Sequence, residues 1–165
     1  MIQIYTGEGK GKTTAAVGLA VRASKELKVL FIQLIKNGDS SETEALKNIP
    51  NIDFKAFGSG QWIVEGSDMA KEAKNARNAL MYAREGAKNY DVIIVDEAVT
   101  VMSLGLITEK EILDFLGEIP ENKEIVLTGR GATEKLIQKA DLVTEMRKIK
   151  HYYDKGIKAR KGIEL

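Results

Sequence analysis

Apolar and polar positions follow two rhythms along this chain. Compact apolar runs occur at MIQIY (1–5), KVLFIQLI (28–35), IDFKAF (52–57), DVIIVDEA (91–98), KEIVLTG (123–129) and DLVTEMRKI (141–149), and they read as strands. Between them, apolar residues return every third or fourth place, as on one face of a helix. This second rhythm predicts helices over 13–26, 41–49, 67–90, 108–119 and 132–140. Ala15, Ala16, Leu19, Ala20 and Ala23 share a face in the first of these. Ser41 and Glu44 have capping-box spacing, Ser67 or Asp68 can cap the long helix, and Thr108 can cap the next. Gly86 weakens the end of the long helix.

Strand and helix alternate throughout, which predicts an α/β domain with right-handed crossovers. The near-continuous apolar runs at 28–35 and 91–98 suit a largely parallel central sheet with helices on both faces. No repeat, low-complexity segment or linker interrupts the pattern. Pro50 and Pro120 both fall at element boundaries. The expectation is a single domain over 1–165, with an irregular basic tail at 148–165 packed near the active site.

Composition narrows the chemistry. The chain is 44% hydrophobic and 30% charged, as expected of a water-soluble globular domain. Lys+Arg is 25 and Asp+Glu is 24, so net charge gives no reason to expect nucleic acid or membrane as a partner. There is no cysteine, which excludes disulfides, iron–sulfur clusters and Cys-ligated zinc. His151 is the only histidine, so a histidine-rich metal site within one chain is excluded too. No apolar run reaches 18 residues, and strand-like sequence follows Met1 directly. A cytoplasmic location is expected.

Five stretches are candidates for chemistry. TGEGKGKTT (6–14) lies between a strand and a helix and resembles the phosphate-cradling pattern G-x-x-x-x-G-K-[ST]. Its first glycine stands one residue late, at Gly7, because Thr6 occupies the usual place. Backbone N–H groups of Gly9, Lys10, Gly11 and Lys12 can converge on an anion, helped by the helix N-terminus. Lys12 offers a point charge to phosphate, and Thr13 a hydroxyl to Mg²⁺. In VIIVDEA, an apolar strand ends in acids, so Asp96 or Glu97 can bring a carboxylate to the same sheet edge. In LTGRGA, Arg130 stands between two glycines and can swing toward phosphate, or it can simply be exposed on a turn. FGSGQWIVEGSD (57–68) holds the only Trp, Trp62, which can cover a flat ligand or can belong to the core. The tail from Arg147 to Lys161 has seven basic residues and one acid, Asp154. It suits solvent or a fold over an anionic ligand better than nucleic acid.

Together these residues resemble the P-loop type of ATP:corrinoid adenosyltransferases. The likeness runs end to end, through TGEGKGKTTAAVGLAVRA with its late glycine, FIQLIKNGDSSETEAL, VIIVDEA, and VLTGRGATEKLIQKADLVTEMRKIKHYYDKGIKARKGIEL. The last piece is the most specific, since a general P-loop ATPase has no reason to carry it. The resemblance implies a P-loop NTPase fold of the RecA-like kind. It also implies that a reduced corrinoid attacks the 5′ carbon of ATP and that inorganic triphosphate leaves. It places Gly7, Glu8, Gly9, Lys10, Gly11, Lys12, Thr13 and Thr14 on the triphosphate. Thr13 and Glu97 fall on Mg²⁺ (or Mn²⁺), with Asp96 beside them, Arg22 near the nucleotide, and Trp62 near the corrinoid. Lys12, Glu97 and Arg130 are the expected catalytic residues. A reduced flavoprotein donor and a homodimer are implied as well. One departure stands out. Well-known members carry an aromatic residue two places before the tryptophan, and here that place is Gly60. A RecA-like NTPase that hydrolyses ATP is the alternative reading, with Glu97 orienting water.

Overall fold

The computed structural model describes residues 1–60 and 68–164. Six strands form one sheet: β1 (Ile2–Thr6), β2 (Val29–Gln33), β3 (Ile52–Ala56), β4 (Val92–Asp96), β5 (Glu124–Thr128) and β6 (Leu142–Glu145). The helices are α1 (Lys12–Ala23), α2 (Ser41–Lys47), α3 (Met69–Gly86), α4 (Ala98–Ser103), α5 (Glu109–Glu118) and α6 (Glu134–Lys139). A 3₁₀ turn at Tyr152–Lys155 lies in the C-terminal segment.

The sheet order is β3-β2-β4-β5-β1-β6, and every pairing is parallel. All strand C-termini therefore leave at one edge, where ligands bind in open α/β sheets. β2 and β4 are buried along their whole length, which explains their unbroken apolar sequences. Alternate residues of β2, β4 and β5 feed two cores. Phe31, Val92, Ile94 and Val126 pack with Ala16 and Ala20 of α1 and Leu46 of α2. Leu30, Ile32, Ile93, Val95 and Leu127 face α3, α4, α5 and α6 on the other side.

Helix ends follow their capping chemistry. Asp68 accepts from the Lys71 N–H at 3.0 Å and starts α3, which ends at Gly86. Thr108 and Glu111 form a reciprocal capping box at α5. The N-cap of α2 is Ser40 rather than Ser41, and its hydroxyl pairs with Thr43 instead of capping. α4 is an element that hydrophobic rhythm does not predict. Ala98, Val99, Val101 and Met102 are buried while Thr100 and Ser103 lie on the open side, but with six residues the helix is under two turns, too short to display its period.

Candidate active site

The glycines of the 6–14 loop are set by what lies against them. Gly11 has φ 118° and is the N-cap of α1, a conformation open to glycine and costly to other residues. Gly7 has φ 100°, and a Cβ there would sit 2.6 Å from the Met146 carbonyl oxygen. A Cβ at Gly9 would meet the same oxygen at 2.7 Å, and the Gly9 N–H donates to it at 2.6 Å. The late glycine thus has a steric cause: the segment leaving β6 runs directly against the loop.

Side chains of the loop are already engaged. Lys12 is buried and donates to the carbonyls of Gly7 at 2.7 Å and Gly9 at 2.8 Å. Burial, then the positive charge of Arg130, lowers its pKa. Lys10 donates to Tyr152 Oη at 2.8 Å and Glu164 Oε1 at 2.8 Å. Glu8 pairs with Arg130 at 3.0 Å, with both side chains largely exposed. Thr14 is exposed in the first turn of α1.

Strand order delivers the acids. β5 lies between β1 and β4, so the end of β5 fills the gap between the loop and the acidic strand. Thr128 closes β5 there. Its hydroxyl donates to Asp96 Oδ1 at 2.6 Å and accepts from the Glu97 N–H at 2.9 Å. Thr13 reaches the same Oδ1 at 2.9 Å. The Gln33 amide approaches Oδ2 at 3.4 Å. Asp96 is fully buried, and burial together with the neighbouring Glu97 pushes its carboxyl up to about 6. Glu97 adopts φ 67°, ψ 13°, the left-handed region that a branch-free glycine would occupy without strain. This bend turns Asp96 inward and leaves Glu97 half-exposed at the sheet edge. Its carboxylate accepts from Thr100, whose Oγ1 in turn accepts the Arg130 N–H at 3.0 Å.

The fold therefore gathers Gly7, Glu8, Gly9, Lys10, Gly11, Lys12, Thr13, Asp96, Glu97 and Arg130 at one sheet edge. It does not gather Arg22, which is exposed in the last turn of α1. The helix rise puts it about 15 Å along the axis from Lys12. Trp62 lies outside the described residues. Gly60 is described, and the structure accounts for the missing aromatic. Its φ is 76°, and a Cβ would meet the Asn37 side chain at 2.5 Å. Thr128, Thr100, Gln33, Tyr152 and Glu164 are site residues that sequence reading passed over. Thr128 lies inside the LTGRGA stretch, but only strand order shows that it bridges the two other strands.

One family profile, that of the ATP:corrinoid adenosyltransferases BtuR/CobO/CobP, matches residues 1–165. The chain belongs to this family. The corrinoid adenosyltransferase of Escherichia coli K12 is 30% identical, over 99% of this chain and 85% of its own length. That of Pseudomonas aeruginosa is 32% identical, over 100% of this chain and 83% of its own. Among solved structures, the flagellar accessory protein FlaH from Methanocaldococcus jannaschii aligns over 87% of this chain and 69% of its own, with TM-score 0.57 and 15% identity. A type III secretion ATPase from pathogenic bacteria aligns over 94% of this chain and 52% of its own, with TM-score 0.52 and 14% identity. Those two likenesses speak to the P-loop fold alone. In this adenosyltransferase no cluster of three His, Cys, Asp or Glu side chains suited to a metal occurs among the described residues. A cation here would depend on Thr13, one or two carboxylates, and oxygens of a bound phosphate chain. That hard-oxygen set fits Mg²⁺, which keeps waters and substrate phosphates as ligands.

Proposed function

We propose that this chain transfers the 5′-deoxyadenosyl group of ATP to the Co(I) of a reduced corrinoid, in cobalamin biosynthesis or salvage. The cobalt electron pair forms the Co–C5′ bond, the C5′–O bond breaks, and its electrons leave with inorganic triphosphate. The carrying observation is the convergence of a glycine loop, Lys10, Lys12, Thr13, Asp96, Glu97 and Arg130 at one sheet edge, in a chain of this family.

The geometry suits the reaction's demands. Co(I) is itself a strong nucleophile, so no activated Ser, Cys or His is required. What remains is positioning and stabilising charge on the leaving group. Lys12, buried under the loop, is the fixed cation for the triphosphate. Arg130 is the mobile one, released from Glu8 toward phosphate oxygens. Thr13 and Glu97 would hold Mg²⁺, with Asp96 fixing the Thr13 hydroxyl. When bound, the ion would neutralise triphosphate charge. By resemblance, Trp62 serves the corrinoid, Arg22 serves the nucleotide, and a reduced flavoprotein supplies electrons. Self-association is supported by the edge strand β6, which is exposed along its length and carries Leu142 and Val143. No helix among the described residues is long and apolar enough to cross a membrane, in keeping with a cytoplasmic enzyme.

Product analysis tests the reading. With MgATP, a corrinoid and a strong reductant, the expected products are triphosphate and a light-sensitive adenosylated corrinoid. Corrinoid-independent formation of ADP and phosphate overturns it and favours a hydrolase. Lys12→Ala should lower turnover by about 100-fold or more, as loss of a preorganised charge at the leaving group does.

A further inference from the structure

The C-terminal segment occupies donors that a triphosphate needs. The Lys10 ammonium has three protons to give. It donates to Tyr152 Oη at 2.8 Å, the Ile163 carbonyl at 3.1 Å and Glu164 Oε1 at 2.8 Å. All three partners belong to the tail. The Gly9 N–H, next to Lys10, is held by the Met146 carbonyl at 2.6 Å. So one stretch of chain engages two neighbouring phosphate-binding groups of the loop.

We propose that Glu164 competes with triphosphate for Lys10 and takes this lysine back as the leaving group departs. This rests on the reading that triphosphate is the product. Glu164 is built to wait. The Arg160 N–H donates to its Oε2 at 2.9 Å, the Arg160 Nε to the same oxygen at 3.3 Å, and Nη2 to Oε1 at 3.1 Å. The Tyr152 hydroxyl also donates to Oε1. The carboxylate therefore keeps its place and its charge whether or not Lys10 is present. These contacts hold it well below the usual carboxylate range, the largest cause being Arg160, then Lys10. Lys10 remains partly open to solvent, with its side chain 37% exposed, so an incoming phosphate can reach it. The need for such a competitor follows from the chemistry. Cleavage of the C5′–O bond adds a negative charge to the triphosphate, so the product binds a cationic loop more tightly than the substrate's ester does. An acceptor inside the chain offsets that gain and speeds release.

The test is a binding cycle with sodium triphosphate, read by titration calorimetry at low salt on the full chain. E164Q keeps an amide oxygen but removes the charge, and should bind triphosphate about fivefold tighter, the scale of one partly exposed ion pair. E164D, which keeps the charge, should stay near wild type. In a K10A background the effect of E164Q should vanish, and raising the salt should shrink it in the normal background. In turnover, E164Q should lower KM for ATP and lower kcat together, with deeper inhibition by triphosphate. Equal or weaker triphosphate binding by E164Q overturns the proposal, as does a gain that persists without Lys10. Absence of adenosyl transfer by the wild type is a separate result. It overturns the reaction, while the cycle still decides whether Glu164 and triphosphate contend for Lys10.

Discussion

Gly7 in the loop and Gly18 inside α1 belong to one loop-helix unit, and their surroundings assign opposite outcomes to the same substitution. At Gly7 the positive φ and the Met146 oxygen leave no place for a methyl group. Gly7→Ala should cost about 1–3 kcal/mol in urea unfolding and weaken ATP binding, because the loop and the segment after β6 must part. At Gly18, inside α1, a Cβ meets nothing within 4 Å. Gly18→Ala should stabilise by about 0.5–1 kcal/mol through the lost freedom of the unfolded chain. A Gly18→Ala variant less stable than the parent would contradict this account of α1. The same contrast shows how far residue identity can be read. The sequence places a glycine at 7 in plain view, but its reason is a carbonyl far along the chain.

Among the elements, α5 is the best documented by its own residues. Thr108 accepts the Glu111 N–H at 3.2 Å, and Glu111 accepts the Thr108 N–H at 2.7 Å. Glu111 also takes Arg77 Nε of α3 at 2.6 Å, which ties the two helices together. Thr108→Ala should lower stability by about 1 kcal/mol, the usual worth of an N-cap. Arg77, then the Thr108 backbone, holds the Glu111 carboxyl down to about 2 from its ordinary 4.5. A depressed carboxyl adds stability above pH 4.5, and that share is lost as pH falls toward 2. In melts across that range, Glu111→Gln should flatten the acid dependence of Tm, and an unchanged slope would count against the pairing. Capped, amphipathic helices of this kind were legible from sequence. α4 was not, because its six residues are too few to display a helical period. The site divides the same way. Gly11-Lys12-Thr13 and the acids at 96 and 97 announce themselves by local pattern, whereas Thr128 and Glu164 gain meaning only from strand order and from the path of the tail.

At the scale of the whole molecule, the sheet ends in two edge strands, β3 and β6. β6 pairs with β1 on one side, and among the described residues no strand pairs with its outer edge. Leu142 is 43% exposed and Val143 37%. An exposed apolar edge is a template for another chain. If a second copy docks here, Val143→Asp should shift the protein from dimer to monomer in light scattering. A wild-type monomer at working concentration would remove β6 from consideration as that interface. Alternation of strand and helix was enough to foresee a parallel sheet. The order of strands was not readable, because each apolar run is equally suited to several neighbours.

The position of β1 has a consequence for how the protein comes into being. Its sheet neighbours, β5 and β6, begin at Glu124 and Leu142, so β1 has no partner until those distant segments exist. Contacts so distant in sequence are slow to close. β2, β3 and β4 can pair early, yet the loop that follows β1 stays without its walls. The loop can therefore hold a nucleotide only once β5 and β6 have paired with β1. ATP, by binding only molecules in which these distant strands have met, would stabilise the paired sheet over forms that lack that pairing.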